Sequence, residues 1–227
     1  MAVTAGTAPA NHGAGLVERV IAALYARPRL LLDYAPLLDE PLLSGPPQPM
    51  PTRVLDAVAL PSGRPMPPSV RRWLEFDTAM LAKSGWLASS RASRLTPRPL
   101  DEIAAEELGE EAGGYYGPLA GRFNECFLLP GGSDSRRVLV TGPADDFGEY
   151  PVLVLDVDDE PSVNLAYPGF DVYLAHVLGV VGDHHQDYAW LIDDPVYAPR
   201  MRQHARNWFG GGASAEYPFT GFTRFTR

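Results

Sequence analysis

Seven acidic side chains fall within sixteen consecutive positions of this chain: Asp145, Asp146, Glu149, Asp156, Asp158, Asp159 and Glu160. Carboxylates at that density serve metal coordination, proton transfer or attraction of a basic partner. Hard cations need several convergent oxygens, and Asp156-x-Asp158-Asp159-Glu160 lacks the further ligands and mid-loop glycine of a calcium loop. The spacing reads instead as a hairpin turn. His176, His184 and His185, with Asp183 and Asp187, form the histidine-dense stretch. Zinc requires three or four ligands at fixed spacing, and adjacent histidines on regular backbone diverge, so a loop or helix end is expected there. The single cysteine, Cys126, excludes an internal disulfide and sits at the edge of an apolar run, where a thiol behaves as a small hydrophobe. No phosphate loop, dinucleotide fingerprint or nucleophile elbow occurs. No catalytic residue, metal site or cofactor is therefore assigned, and the seven acids stand as candidate partner-binding residues. The competing reading is that they are turn formers, since Asp bonds its own backbone in turns.

The placement of charge says more than its total. The 227 residues carry a formal charge of −9. Residues 101–160 hold 3 basic and 15 acidic groups, a net of −12, whereas residues 1–100 are net positive, with 11 basic and 7 acidic groups. A field of that sign repels phosphate backbones and attracts basic proteins. Nucleic acid is thus excluded as the expected partner, and a protein with a basic surface is favoured. No basic-then-apolar leader opens the sequence and no apolar stretch reaches the roughly 20 residues a membrane span needs. A cytoplasmic protein without a membrane role is expected.

Hydrophobic residues make up 45% of the chain and aromatics 10%, enough for one large domain with a buried core. Residues 1–14 are small and polar and are expected to form a flexible arm. Leu16, Val17, Val20, Ile21 and Leu24 repeat at helical spacing. After the proline-rich connector 44–51, Pro67 and Pro68 open a helix with Val70, Trp73, Leu74 and Leu81 inward. A second helix is expected over 100–108, closed by Gly113 and Gly114. From Cys126 the period changes to short apolar runs separated by GGSDS, PADDFGE and DDEP, a meander of about four strands. Helical spacing returns at Phe170, Tyr173, Leu174 and Leu178, and a last helix is expected from about Val196 to Trp208. The order predicts an α+β fold, an antiparallel-rich sheet of about four to six strands with helices packed on one face. The domain is expected over 15–209, followed by an aromatic-rich tail, 210–227. In that tail Phe219, Phe222 and Phe225 recur every third residue, a pattern that fits docking into a partner groove or folding back as a capping strand. The second is expected, because exposed phenylalanines are costly in water.

Two stretches resemble a known family. LPSGRPMPPSVRRWLEF (60–76) and EYPVLVLDVDDEPSVNLAYPGFDVYLAHVLG (149–179) resemble the opening helix and the later half of SMI1/KNR4 (SUKH) domains. Asp77-Thr78 stands where members usually carry an asparagine–glycine turn. The resemblance implies an α+β protein-binding scaffold without an active site. Bacterial members look like immunity proteins that neutralise a toxin, often a nuclease, and fungal members look like regulators of cell-wall synthesis. The 18 arginines against one lysine suggest a GC-rich bacterial genome and lean towards the first. An intracellular scaffold or regulator of the same type is the alternative.

Overall fold

Between Cys126 and Tyr167 the apolar runs form strands where the alternation places them. The computed structural model describes residues 11–27, 43, 45–88, 94–131, 135–158, 160–182 and 187–220. In it β1 (Cys126–Leu129), β2 (Ser135–Val140), β3 (Val152–Asp156) and β4 (Ser162–Tyr167) make an antiparallel meander. A fifth strand, β5 (Ser214–Glu216), pairs with β4 from the far end of the chain. The segment expected as a tail therefore supplies the sheet's edge. Phe219 beyond it is buried against Tyr116 at 5.6 Å, while Phe222 and Phe225 lie outside the described residues.

The fold is α+β, but helices cover both faces of the sheet. Consecutive residues Val138 to Val140 and Val152 to Leu155 are all buried, and neighbours on a strand point to opposite sides. A run as uniformly apolar as VLVL has no polar face to turn to water. Phe127, Leu139, Val152 and Tyr167 stand in register on one side. Helix α7 (Phe170–Val177) packs there, with Tyr173 edge-on to Tyr167 at 5.4 Å, and Trp86 lies 4.5 Å from Phe127. Helices α1 (Gly13–Ala26) and α3 (Pro68–Leu74) pack behind α7, with the single-turn helix α2 (Thr52–Leu55) between them in sequence. On the opposite side Arg136 ties down α5 (Leu100–Leu108), donating to the Glu107 carboxylate at 3.2 Å and to its carbonyl at 2.9 Å.

Two local differences from the sequence reading have clear causes. The helix opened by Pro67 and Pro68 ends at Leu74, and Leu81 belongs to a separate turn of helix, α4 (Ala79–Lys83). Buried Asp77 accounts for the break: one carboxylate oxygen accepts from Met80 N at 3.2 Å and the other from Gln48 N at 2.9 Å. That bond ties the α3–α4 junction to the connector. Gly113 and Gly114, expected to end a helix, lie inside α6 (Glu110–Ala120), which pairs closely with α5. A β-carbon on Gly113 would stand 2.7 Å from the Ala105 β-carbon, so the glycine is there to let two helices touch.

We expect Gly113→Val to destabilise the protein by about 1–3 kcal/mol through overpacking. That corresponds to roughly 2–4 °C of Tm per kcal/mol for a chain of this size. Gly114→Ala, with nothing within 4 Å, is expected to be neutral or stabilising. Thermal unfolding followed by circular dichroism compares the two.

Candidate functional site

Five segments converge on one buried ionic cluster. Helix α8 (Ala198–Phe209) places Arg200, His204 and Trp208 at i, i+4 and i+8 on its inward stripe. The Arg200 guanidinium gives Nε–H to Asp145 Oδ2 at 2.5 Å and a two-pronged grip to Asp171, at 2.8 and 3.1 Å. Its two remaining N–H groups meet the Pro168 carbonyl at 3.2 Å and His12 Nδ1 at 3.3 Å. All five donors are thus used. Asp171 Oδ2 also accepts from Gly13 N at 2.6 Å, tying the first turn of α1 to α7. The His12 ring stacks on Phe147 at 4.1 Å. Burial, and then the Arg200 charge, lower the His12 pKa, keeping Nδ1 available as an acceptor.

Asp145 and Glu149, four residues apart in the loop between β2 and β3, have their pKa values shifted in opposite directions by this cluster. Burial by itself would raise Asp145, but nearby His204 and Arg200 outweigh it and hold the carboxylate at about 2. His204 Nε2 lies 3.0 Å from the Pro168 carbonyl and 3.6 Å from Asp145 Oδ2. Phe147 N and Glu149 N donate to Asp145 Oδ1 at 2.9 and 3.0 Å. Glu149 is wholly buried, and burial followed by the Asp171 charge pushes its pKa well above the ordinary glutamate range. Its carboxyl receives Ser69 N at 2.9 Å and the Ser69 hydroxyl at 2.5 Å, joining the start of α3 to the sheet. Gly169 permits the whole arrangement. A β-carbon there would stand 2.4 Å from Asp171 Oδ1, 2.7 Å from Arg200 Nη2 and 2.8 Å from Glu149 Cβ.

The seven candidate acids therefore do not form one face. Asp145 and Glu149 are corrected from partner-binding to interior residues: both are buried and spoken for by Arg200 and Ser69. Asp146 is exposed beside them and exchanges two hydrogen bonds with Gln203, at 3.1 and 3.3 Å. Asp156, Asp158 and Glu160 lie at the opposite end of β3, about 13 Å along a strand of five residues. Asp156 is half-buried and accepts from Asp158 N at 3.0 Å, the turn-forming role of an aspartate, whereas Asp158 and Glu160 face solvent. Asp159 lies outside the described residues.

Other groups join the hairpin end that sequence reasoning missed. Glu216 stands opposite Ser162, and Tyr217 N donates to the Pro161 carbonyl at 2.8 Å. Tyr217, 45% exposed, meets Tyr115 edge-on at 5.6 Å, and Tyr115 donates to exposed Glu111 at 3.0 Å. Tyr116, one position on, sends its hydroxyl to the Asp156 and Ser162 carbonyls, at 2.7 and 2.9 Å. The β3–β4 hairpin, α6 and the end of β5 thus bring Glu111, Asp156, Asp158, Glu160 and Glu216 around two tyrosines. The buried cluster had one legible signal, a basic pair at i and i+4 on an otherwise apolar helical stripe. The hairpin end had none, because β5 pairs with β4 residues 50 to 54 positions away in sequence.

The remaining candidates are placed simply. Cys126 is buried, and burial raises its thiol. His176 is buried with Nδ1 3.1 Å from the Tyr167 hydroxyl. His184, His185 and Asp183 lie outside the described residues, and Asp187 caps the 3-10 helix Tyr188–Ile192. Among the described residues no group of three or more His, Cys, Asp or Glu is arranged to hold a metal ion, and no helix is long and apolar enough to cross a membrane.

No family model matches the chain, and a search of curated proteins finds no match. The fold is similar to the crystal structure of an uncharacterized protein from Salmonella enterica subsp. enterica serovar typhimurium str. 14028s. The TM-score is 0.55 and the identity 15%, over 84% of this chain and 89% of that one. At that identity the likeness concerns the fold alone.

The two displaced carboxyls set the expected pH dependence. Glu149, raised in the folded state, contributes stability that is complete below the ordinary glutamate range and lost as pH rises through its folded value. Asp145, lowered to about 2, contributes stability present above the ordinary aspartate value and lost as pH falls through about 2. Denaturant titrations of the native protein should show stability falling above about pH 5, by up to about 1.4 kcal/mol per pH unit for one proton. Glu149→Gln should flatten that alkaline limb and leave the acid limb in place. An unchanged alkaline limb would contradict the assignment.

Proposed function

We propose that this protein is a non-catalytic protein-binding module, an immunity-type protein of the SMI1/KNR4 kind that neutralises a toxin in the cytoplasm. Asp158, Glu160, Glu216 and Glu111, together with Tyr115 and Tyr217, would cover a basic surface on the partner. A single observation supports this reading: the outward acids, the exposed Tyr217 and the half-buried Tyr115 gather at one end of the sheet, drawn from three separate segments. Negative potential at such a place raises the encounter rate with a cationic protein and disfavours acidic ones. Tyrosine adds apolar area with a polar edge and an aromatic face for an arginine or lysine. A nuclease must carry a basic groove for its substrate, which makes it a fitting partner class. The inward acids take no part, since the ionic cluster already uses them.

The charge-reversed pair Asp158→Lys with Glu160→Lys tests this. Both side chains are exposed, so the fold is expected to survive within about 0.5 kcal/mol. A partner recovered from the native host by the wild-type chain should bind the double variant at least tenfold more weakly, measured by isothermal titration. Produced alone, that partner should arrest growth. Equal affinity for the folded variant would overturn the interface, and a harmless partner would overturn the immunity reading.

A further inference from the structure

The sheet ends at β5 with backbone groups that face away from it. Leu165 N donates to the Ala213 carbonyl at 2.7 Å and Tyr217 N to the Pro161 carbonyl at 2.8 Å. In an antiparallel ladder alternate residues bond to the same neighbour. Ala213, Ala215 and Tyr217 therefore bond to β4, while Ser214 and Glu216 point their backbone outward. The Glu216 carbonyl is taken by Phe219 N at 2.7 Å. The Ser214 N–H and C=O and the Glu216 N–H are left facing outward, and no further strand pairs with β5 among the described residues.

Beside that edge is an apolar notch. It has a volume of about 220 Å³ and is lined by Asn164, Leu165, Tyr188, Ile192, Met201 and Ser214, among others. An apolar cavity of about 150 Å³ takes up benzene, so this one has room for an aromatic side chain. Ile192 on its rim is 41% exposed and Val196 nearby 38%. Asn164 and Ser214 are directly opposed and share a sheet face, so a residue added opposite Ser214 would carry its side chain to that face and the notch. Two positions along, on the same face, stands Glu216. Edge strands are usually blunted by charge. At the strand's end the charge is acidic, from Glu216 with Glu160 and Asp158, and Asp187 and Asp193 flank the 3-10 helix that lines the notch. This end disfavours acidic segments and admits basic ones.

We propose that β5 and this notch capture an extended segment of the partner protein as a sixth strand, with an aromatic residue opposite Ser214 and a basic residue two positions away opposite Glu216. The inference rests on the protein-binding reading above and names the form its partner takes. Backbone bonding at the edge gives affinity, and the notch and Glu216 read alternate side chains.

The probe is the acetylated and amidated peptide Thr-Thr-Arg-Thr-Phe-Thr-Thr, which in antiparallel pairing puts its arginine opposite Glu216 when its phenylalanine is opposite Ser214. It is titrated into the isotope-labelled full chain and followed by amide chemical shifts. Shifts at Ala213 to Tyr217 and Tyr188 to Ile192 support the proposal. So does a loss of affinity of at least tenfold when the peptide phenylalanine becomes serine, when Ser214→Pro removes the edge N–H, or when Ala189→Trp fills the notch. Each variant is first shown to melt as the wild type does, and Glu216→Lys, on the surface, gives an independent arm. Shifts confined elsewhere, or unchanged affinity in folded Ser214→Pro and Glu216→Lys, overturn it. Concentration-dependent broadening of the β5 resonances without peptide would mean that a second copy occupies the edge, and binding gained only in a chain ending at Thr220 would mean that the chain's own terminus does. Either result overturns the proposal. If the peptide fails while the whole partner still responds to Asp158→Lys with Glu160→Lys, the edge is wrong and the acidic interface stands.

Discussion

One guanidinium, buried among three carboxyl groups, holds five parts of the chain together. Arg200 reaches the β2–β3 loop through Asp145, α7 through Asp171, the Pro168 carbonyl before it, and the start of α1 through His12. Taking such a charge out of water is costly unless every donor is met, and here every one is. Three carboxylates facing one arginine would leave excess negative charge in the interior. Burial and the neighbouring Asp171 charge counter this by raising the Glu149 pKa, while the two Ser69 donors work against that rise and fix the carboxyl at the head of α3. Oily packing alone would tolerate several placements of α1, α3, α7 and α8 on the sheet. The ionic cluster distinguishes among them, because its donors and acceptors fit together in one geometry.

This interior use of charge separates the acids of the chain into two populations. Asp145, Glu149 and Asp171 are structural, and the −12 of the middle sixty residues overstates what a partner would meet. Those that remain outside are concentrated by topology as well as by sequence. The β3–β4 hairpin, α6 and β5 end at the same place, so acids spaced over more than a hundred positions become neighbours of Tyr115 and Tyr217.

Much of the fold was legible. The strands of the meander, the helix over 100–108 and the return to helical spacing at Phe170 all follow from periodicity, because their apolar residues recur at the period of the element that buries them. Gly113 misled because a glycine in a helix reads as a terminator unless the neighbouring helix is known to press against it. Gly169 sits in the PGF segment that carries the family resemblance, and its reason is visible only in three dimensions, where no β-carbon fits beside Asp171, Arg200 and Glu149. The acidic residues were the least legible part. An aspartate bonded to a buried arginine and one facing water look alike in sequence, and the distinction rests on Arg200 and His204, more than fifty positions away. Similarly, β5 has three residues and an unremarkable composition, and only its pairing with β4 makes it a strand.

The central claim is that outward acids at the hairpin end of the sheet act on a partner through electrostatic attraction while the inward acids keep the fold. The affinity of the native complex as a function of ionic strength tests it most directly, with thermal unfolding followed in the same buffers. Raising salt from about 0.05 to 0.5 M shortens the screening length from roughly 14 to 4 Å. The account predicts an affinity that falls at least tenfold over that range while Tm changes little. Affinity that holds constant with salt would contradict it.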